Sequence, residues 1–406
     1  MKKDSKMQAF YEKKPPEHGT DTNEEAGDKA YKTYVISLYP HFHCYGGDCP
    51  HSCCKGWSIP VDEGTMQRYR TMPGAYGRSL RFHVWHLRGM DLIQKQLGRC
   101  PHWNSDHLCQ FQVNGEPELM PLICRVYPRD AVRSDVETEV TMELSCISMA
   151  RTFLEHPGRL YFIPTEDVIE STWEMDNNEP DFYAYLKQDR ERMLDYLWDG
   201  GRELRCVWQS LYAYVYQVHD LIVRDRVEEA KAVVISDRVE DMGIYYLNRE
   251  PTYSFFSIQT IDRMILDQID YGNLKWRERA FYRLIQSYRR RFSDLYVDEA
   301  ERFFDEQAVR LIEAGYGEKY RSYFSYCMQE LYLKAYETYH VLRQFLFAVL
   351  YVQLLMLFDM VDYLDRGGQI ADIDRQSEIL MLCEQGIRHN PQLTKNLLAI
   401  IREEFL

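Results

Sequence analysis

The sequence predicts a mainly α protein in two parts: a small, irregular, cysteine-rich metal-binding module followed by a larger all-helical domain. Three observations lead to this prediction. The chain has 406 residues, which exceeds the usual length of a domain with a single hydrophobic core. Eight of its eleven cysteines fall between positions 44 and 146. Beyond about residue 181, long glycine-poor stretches repeat apolar residues at the spacing of an amphipathic helix.

Changes in amino-acid composition and apolar periodicity along the chain set the boundaries of these parts. Residues 1–30 are rich in Glu, Lys, Asp and Gly without helical or strand periodicity, which predicts a disordered tail. Residues 31–150 have only short apolar runs between Cys, Gly and Pro, and a metal commonly fastens such a segment because it cannot build a large core. We expect a metal or iron–sulfur module there, a linker over 151–180 and the helical domain over 181–406.

Eight amphipathic stretches define the helical domain. The glycine pairs at 200–201 and 367–368 are typical of helix C-terminal ends. The stretches are Phe182–Trp198, Leu204–Asp225, Val227–Leu247, Ile258–Asp270, Trp276–Phe292, Ala300–Ala314, Lys319–Asp365 and Ser377–Gly386.

Charge and targeting signals argue against several classes of function. Lys and Arg total 49 against 63 Asp and Glu, and this net charge of −14 disfavours a nucleic acid as the main partner. No apolar segment follows the N-terminal lysines, so we expect no secretory signal. The apolar run Phe345–Phe358 is shorter than the roughly 18 residues of a membrane span and predicts a buried core helix. These features predict a cytoplasmic protein with no membrane span and with reduced thiols.

The clustered cysteines indicate a metal site because thiolates are soft ligands of zinc and of iron–sulfur clusters. Eight thiols can form two four-ligand sites or one site plus structural residues, and packing or redox-active thiols without metal are the alternative. In an extended segment adjacent side chains point to opposite sides, so at most one of Cys53 and Cys54 is expected to reach a given site. The candidate ligands are Cys44, Cys49, Cys53, Cys54, Cys100, Cys109, Cys124 and Cys146.

The other cysteines and the histidines are weaker candidates for metal ligands. Cys206, Cys327 and Cys383 stand singly in helical stretches and are expected in the core. Five histidines near the cysteines are possible further ligands, although an ordinary loop or surface position is the expectation for each. They are His41, His43, His51, His102 and His107.

Several of these residues also resemble a known family. Over about residues 34–150 the chain is similar to flagellin lysine-N-methylases, and a weaker similarity covers residues 387–391. The resemblance implies methyl transfer from S-adenosylmethionine to lysine ε-amines of flagellin. It also implies an iron–sulfur centre on the cysteine motif, with a 4Fe–4S cluster as the expected type and zinc as the alternative. The matching pattern is Phe42-x-Cys44, Cys49, Cys53-Cys54-x-Gly56-Trp57-x-Ile59, Cys100-Pro101, Leu108-Cys109, Cys124-Arg125-x-Tyr127-Pro128-Arg129 and Leu144-Ser145-Cys146.

The chemistry of amine methylation selects the catalytic candidates. Free lysine is mostly protonated at pH 7, so the site must desolvate the amine or accept its proton. We expect Tyr127 to line the amine pocket and Glu143, or else Asp62, to orient the amine or take its proton. A structural role is the alternative for each.

Three further residues are candidates for cofactor binding. Arg125 and Arg129 can bind the cofactor carboxylate bidentately, with a surface salt bridge as the alternative. Trp57 can face a cation with its ring. The sequence lacks a Gly-rich nucleotide loop, so a doubly wound fold is not expected.

Two functions are carried forward. The first is a protein-lysine N-methyltransferase acting on flagellin, and the alternative is a metal- or iron–sulfur-binding interaction module without catalytic activity. The metal has two possible roles as well. It can fasten the module, or it can keep an open coordination position for the amino and carboxylate groups of S-adenosylmethionine. A radical-type Cys-x-x-x-Cys-x-x-Cys run is not completed, because Gly56 stands where its third cysteine would be.

Overall fold

The structure is a computed structural model that describes residues 32–237, 250–263 and 276–405, except for residues 56, 88, 172 and 176. The predicted tail, residues 1–30, lies outside the described residues. The chain forms two compact units. The first ends at Met149 and takes in Phe162–Glu174, and the second comprises Ala150–Tyr161 and the chain from Met175 onward. The protein is 59% helical, so the prediction of a mainly α protein is confirmed.

The first unit contains a five-stranded sheet. The strands of this unit are β1 (Thr33–Ile36), β2 (Val84–Leu87), β3 (Met90–Ile93), β4 (Arg129–Ser134), β5 (Thr138–Met142), β6 (Phe162–Thr165) and β7 (Trp173–Met175). The sheet has the order β6-β1-β5-β4-β7, in which β1 runs parallel to β5 and antiparallel to β6. β2 and β3 form a separate antiparallel hairpin.

This sheet shows that the prediction of an irregular module was wrong. All five residues of β5 are buried, so polar and apolar residues do not alternate along the strand as they do in a half-exposed one. The segment 151–180, predicted as a linker, supplies β6 and β7. Strands of three or four residues are too short to give a recognisable apolar pattern.

The rest of the first unit packs short helices around a small core. The helices are α1 (Glu63–Thr71), α2 (Gly74–Phe82), α3 (Gln110–Val113), α4 (Leu122–Val126) and α5 (Ile147–Glu155), the last of which continues into the second unit. The small core consists of Ile59, Val61, Tyr69, Leu80, Ile93, Phe111, Leu119 and Met120. Because this core is small, other interactions must help to hold its loops.

The second unit is mainly helical in its described part. Its α-helices are α6 (Pro180–Trp198), α7 (Leu204–Val223), α8 (Val227–Ala230), α9 (Ile258–Ile261), α10 (Trp276–Phe292), α11 (Val297–Leu311), α12 (Gly317–Leu331), α13 (Ala335–Thr338), α14 (Val341–Asp365), α15 (Ile373–Cys383) and α16 (Pro391–Phe405). α14 is long and apolar enough to cross a membrane, but its apolar window is fully buried by the surrounding helices. Phe345–Phe358 is therefore a core helix segment, as the sequence predicts.

Helix ends follow the sequence in some places and not in others. The glycine pairs at 200–201 and 367–368 have positive φ angles just after α6 and α14, as predicted for helix ends. The predicted continuous stretch Lys319–Asp365 is interrupted before α14. Tyr339 has φ 59°, a left-handed conformation that ends the helical turn, and no Gly or Pro signals this break in the sequence.

Candidate functional site

Five of the eight candidate thiols come together beside the small core of the first unit. The Cys100 amide donates a 2.9 Å hydrogen bond to the Cys54 carbonyl oxygen. The Gln110 amide donates to the His102 carbonyl oxygen at 2.8 Å and so closes the loop between Cys100 and Cys109. Cys100, Cys109 and Cys124 all pack against the small core. We call this set the five-thiol group: Cys53, Cys54, Cys100, Cys109 and Cys124.

Electrostatics confirm that these thiols are neighbours. Burial raises the pKa of the Cys124 thiol, and negative charge on Cys100, Cys53 or Cys109 raises it further. Burial also raises the pKa of Cys100 to about 11, although the His102 amide donates to its sulfur and opposes the shift. The thiols of Cys54, Cys100 and Cys124 therefore resist ionisation, and a nearby cation would favour their thiolate forms.

The adjacent pair Cys53 and Cys54 corrects one expectation. The Cys54 thiol has a raised pKa, first because of a hydrogen bond with the Cys53 thiol and second because of burial. The two side chains therefore lie on the same side of the backbone. The expectation that they point apart assumed an extended segment, whereas residues 53 and 54 form a turn.

The other three thiols, which we call the three-thiol group, are Cys44, Cys49 and Cys146. A tight turn joins the first two. The Gly46 amide donates a hydrogen bond to Cys44 Sγ at 3.4 Å. The Cys49 amide donates to the Gly46 carbonyl oxygen at 3.3 Å. Cys146 reaches this turn because the Ser148 hydroxyl donates to the carbonyl oxygen of His43.

Cys146 immediately precedes α5, and this position shapes its electrostatics. Burial raises the pKa of its thiol to about 12, the amides of Met149 and Ser148 oppose the shift, and Cys49 and Cys44 add to it. Amides that point at a sulfur favour its thiolate form. The first turn of α5 thus provides a place for a negatively charged sulfur.

Thiols are a suitable type of ligand for a metal. Thiolates are the ligand set of structural zinc and of iron–sulfur clusters, and Cys44, Cys100 and Cys146 each receive backbone N–H donors. Across the described ranges, however, no three Cys, His, Asp or Glu side chains are arranged to hold an ion. Metal binding therefore requires the thiol side chains to turn toward one another, while the main chain already brings them together.

Among the candidate histidines, His102 has the best-defined surroundings. Its side chain is buried, its ring centroid lies 4.4 Å from that of Phe111, and burial followed by the charge of His83 lowers its pKa to about 4. Its Nε2 atom is buried without a hydrogen-bond partner. His102 is thus a neutral core histidine with one nitrogen still available to a ligand.

The two catalytic candidates lie beside Cys146. The Tyr127 hydroxyl is 3.1 Å from Ser145 Oγ. Burial raises the pKa of Tyr127 well above its ordinary value, negative charges on Cys146, Glu143 and Cys53 add to the shift, and the hydrogen bond with Ser145 opposes it. Tyr127 is therefore a phenol at neutral pH, and the Glu143 carboxylate is close enough to act on it.

The two candidate arginines have different surroundings. Arg125 makes a bidentate ion pair with Glu170, with both N–O distances at 2.8 Å, and this is the salt-bridge alternative considered from the sequence. The Arg129 side chain contacts Tyr39, with Nε 3.4 Å from the hydroxyl and its guanidinium 5.5 Å from the ring centroid. Within the part of the chain that the structure describes, Arg125 is the one of the two that pairs with a carboxylate.

Asp62 and Trp57 have structural surroundings. Asp62 caps α1 by accepting from the Thr65 amide at 2.9 Å, and it also accepts from the Leu122 amide at 2.7 Å. Burial raises the pKa of the Asp62 carboxyl, but these hydrogen bonds lower it more, so the net pKa is below the ordinary value. Asp62 thus joins two segments rather than facing an amine. Trp57 is half-buried in the segment between residues 55 and 60.

Trp103 is a residue that the sequence interpretation missed. Lys55 Nζ lies 4.9 Å and the Arg99 guanidinium 5.1 Å from its ring centroid, and the His107 ring stacks on it at 4.9 Å. The Cys-Pro-His-Trp run was its only signal. The ring therefore holds the cations of the residues that follow Cys54 and precede Cys100 in the sequence.

The family-like segment near the C-terminus has a structural role. Arg388 forms ion pairs with the buried carboxylates of Glu330 and Glu384. Its guanidinium also lies 5.6 Å from the Tyr326 ring and 5.3 Å from the Tyr351 ring. This segment therefore locks α12, α14 and the end of α15 together.

Comparisons with known proteins find partial matches to named relatives. The chain is similar to lysine-N-methylases. It is 27% identical over 154 residues to the lysine-N-methylase of Salmonella choleraesuis (strain SC-B67) and 26% identical over 153 residues to that of Salmonella typhimurium (strain LT2). Each match covers 36% of this chain and 37% of the relative, so the chain spans only about a third of these relatives in the comparison.

A third relative has a flagellar name. It is the flagellar biosynthetic protein FliU of Salmonella muenchen, which is 27% identical over 127 residues, covering 30% of this chain and 75% of the relative. No family model and no solved structure matches the chain.

Proposed function

We propose that the protein is a protein-lysine N-methyltransferase that uses S-adenosylmethionine and acts on flagellin. The likeness to two lysine-N-methylases and to a flagellar protein supports this proposal. The observation that carries it is the grouping of Tyr127, Glu143 and Cys146 in the first unit, with Arg129 close by in the sequence and in no ion pair with the described residues. We place the protein in the cytoplasm, where its thiols stay reduced.

In this proposal Glu143 prepares the amine. The lysine ε-amine must lose its proton before its lone pair can attack the methyl carbon of the sulfonium. As the new N–C bond forms, the S–C bond breaks and its electron pair stays on sulfur. A carboxylate beside the amine can accept the proton that is released. Glu143 is the candidate because its charge already acts on the neighbouring phenol.

In this proposal Tyr127 positions the lysine ε-amine and does not deprotonate it. Because its pKa is raised well above the ordinary value, its hydroxyl keeps its proton and can donate or accept a hydrogen bond together with Ser145. A phenol ring also attracts an approaching ammonium group. Tyr127 can therefore hold the lysine until Glu143 takes its proton.

Arg129 is the proposed anchor for the cofactor carboxylate. A guanidinium binds a carboxylate through two parallel hydrogen bonds, and the hydrogen bond of Arg129 to Tyr39 uses Nε rather than a terminal nitrogen. Arg125 is already held in that way by Glu170.

The eight cysteines are the proposed ligands of an iron–sulfur cluster or zinc. When bound, the metal would fasten the loops of the first unit or offer a coordination position to the cofactor. The chain supplies the sulfurs and the backbone donors that favour their charge.

The test is methyl incorporation into flagellin co-expressed with this chain, read by mass spectrometry of flagellin lysines. We expect methylated lysines with the parent chain, none with Glu143→Gln, and parent levels with the control Cys206→Ala. A folded, metal-containing protein that leaves flagellin unmodified would favour the alternative, a metal-binding interaction module without catalytic activity.

A further inference from the structure

A cluster of exposed apolar side chains lies on and beside the β2–β3 hairpin of the first unit. Four of them leave 46% to 71% of their surface in solvent, and Leu97 is fully exposed. Single exposed apolar residues are common on folded proteins, but five within residues 82–97 form a group that calls for an explanation. We call them the apolar patch: Phe82, Trp85, Leu87, Met90 and Leu97.

The hairpin is apolar on both faces. Side chains alternate between the faces of a strand, so residues that pair across two strands share a face. Val84 pairs with Ile93, and both pack in or against the small core. The other face has two further pairs, Trp85–Leu92 and Leu87–Met90. An outward face of a hairpin normally has polar side chains, whereas three of the four apolar side chains on this face are exposed.

Three residues of the apolar patch stand at tight turns. Leu87 and Met90 flank the turn that joins the two strands of the hairpin. Leu97 lies in a second turn, in which the amides of Gln96 and Arg99 each donate to the other's carbonyl oxygen, at 2.9 and 3.0 Å. Its φ of 51° is a left-handed conformation that costs free energy for a leucine. Side chains on such projecting points can enter a soft medium, whereas a folded partner would need a matching pocket for each of them.

The second turn is tied to the end of α2, where Phe82 stands. The Gln94 amide donates to the His83 carbonyl oxygen at 2.7 Å, and Gln96 Nε2 lies 3.3 Å from His83 Nε2. The rings of Phe82 and His83 meet edge to face, with their centroids 5.6 Å apart. Phe82 and Leu97 therefore belong to the same region of the surface as the hairpin.

This region is basic, although the whole chain has a net charge of −14. Asp91 is the single acidic residue of the sequence between positions 78 and 99, and it faces His86 at 3.0 Å and Arg70 at 3.8 Å. The side chains of Arg78 and Arg99 are exposed. Positive charge beside exposed apolar side chains complements anionic headgroups that lie above an acyl layer. The described basic residues of this stretch are Arg78, Arg81, Lys95 and Arg99.

We propose that the apolar patch docks the first unit on the surface of a bilayer that contains anionic lipids. Leu87, Met90 and Leu97 enter the boundary between headgroups and acyl chains, and Trp85 lies at the interface, where indole rings are enriched. Arg78 and Arg99 contact the headgroup phosphates. Such binding needs no membrane span, and it does not depend on the proposed methyl transfer.

The experiment measures sedimentation of the full chain with lipid vesicles. Vesicles of phosphatidylcholine alone are compared with vesicles that also contain phosphatidylglycerol, at low and at high salt. The variants are Arg78→Gln and the double variant Trp85→Ser/Leu87→Ser. The control is Val168→Ser, because Val168 is a 98% exposed apolar residue of the same unit outside the apolar patch. All these positions are exposed, and far-ultraviolet melting temperatures equal to that of the parent establish that each variant folds.

We expect the parent to bind the anionic vesicles more tightly than the phosphatidylcholine vesicles, with a smaller difference at high salt. Arg78→Gln should weaken binding to the anionic vesicles about fivefold, which is the contribution of one basic residue near such a surface. The double variant should weaken binding to them at least about tenfold, because it removes two apolar side chains that enter the lipid. Val168→Ser should bind like the parent.

Two parallel measurements identify other occupants of the apolar patch: fluorescence anisotropy with single-stranded RNA and sedimentation velocity of the protein alone. A parent that stays in solution with the anionic vesicles overturns the proposal, and so does a double variant that binds them as tightly as the parent. RNA binding or dimer formation that the double variant loses, in a protein that ignores vesicles, would assign the patch to a nucleic acid or to a second copy instead. None of these measurements requires flagellin or turnover, so the proposal can fail while the proposed function stands.

Discussion

The 2.9 Å hydrogen bond from the Cys100 amide to the Cys54 carbonyl oxygen joins two distant parts of the cysteine motif. The bond belongs to the main chain and uses neither thiol. Next to it, Lys55 and Arg99 pair as an isolated bridge and place their cations over Trp103. The fold therefore brings Cys54 and Cys100 together and holds two cations over a neighbouring ring.

Replacing Arg129 by alanine should raise the KM for S-adenosylmethionine. A hydrogen bond to a charged group contributes about 1.5–3 kcal/mol, so the expected rise is about 10-fold to 100-fold. The matched control is Arg125→Ala, because Arg125 is held by Glu170 and should leave KM unchanged. Steady-state kinetics at varied cofactor concentration measure both. Equal increases in the two variants would refute the assignment of Arg129.

Glu143→Gln and Tyr127→Phe should affect catalysis differently. Loss of a general base lowers kcat by about 10²–10⁴-fold, and we expect this for Glu143→Gln with little change in cofactor binding. Tyr127→Phe should lower kcat less. Because the pKa of Tyr127 is raised well above 10, its removal should leave the pH–rate profile between pH 7 and 9 unchanged. A profile that moves in Tyr127→Phe would mean that the phenol titrates during turnover.

The sequence revealed the clustered thiols but not which of them are neighbours. Eight cysteines in one segment and the amphipathic stretches that follow are visible without coordinates, because composition and periodicity carry that information. Which thiols are neighbours depends on which loops meet. The contact of Cys146 with the turn at Cys44 is such a tertiary fact, and spacing along the chain does not contain it.

Side-chain partners could not be predicted either, because they too depend on tertiary contacts. Arg125 and Arg129 look equivalent in the sequence, and only the structure shows that Glu170, from a segment predicted as a linker, holds Arg125. The sheet was missed because its strands are short and β5 is buried on both faces. Helices were predicted better because their pattern extends over many residues.

Arg388→Ala should strongly destabilise the second unit. The substitution removes the cation that faces the buried carboxylates of Glu330 and Glu384, and removing one partner of a buried pair costs about 3–5 kcal/mol. The control is Arg205→Ala, which breaks an ion pair with the exposed Glu203 and should cost about 0–1 kcal/mol. Urea unfolding followed at a helical wavelength gives both values. A loss below about 1 kcal/mol in Arg388→Ala would show that the pair is dispensable.

Acid should destabilise the second unit through two buried histidines. The rings of His219 and His340 lie 5.1 Å apart, and Arg343 faces both. Burial first, and then the charge of Arg343, lower the pKa of His219 to about 4 and that of His340 to about 3, with His219 and Arg402 adding to the shift of His340. The Tyr339 carbonyl and Asp220 oppose the shift of His219 without cancelling it.

The sign follows from the unfolded chain, in which a histidine binds a proton below about pH 6.5. Both side chains stay neutral in the fold, so their contribution to stability is complete above pH 6.5 and is lost as the pH falls toward 4. Between pH 7 and pH 5 each histidine should lower the free energy of unfolding by about 2 kcal/mol. Urea unfolding of His340→Gln at both pH values should show a smaller loss than the parent, whereas the exposed His389→Gln should behave like the parent. If His340→Gln lost as much stability as the parent, the acid sensitivity would have to come from groups other than this histidine pair.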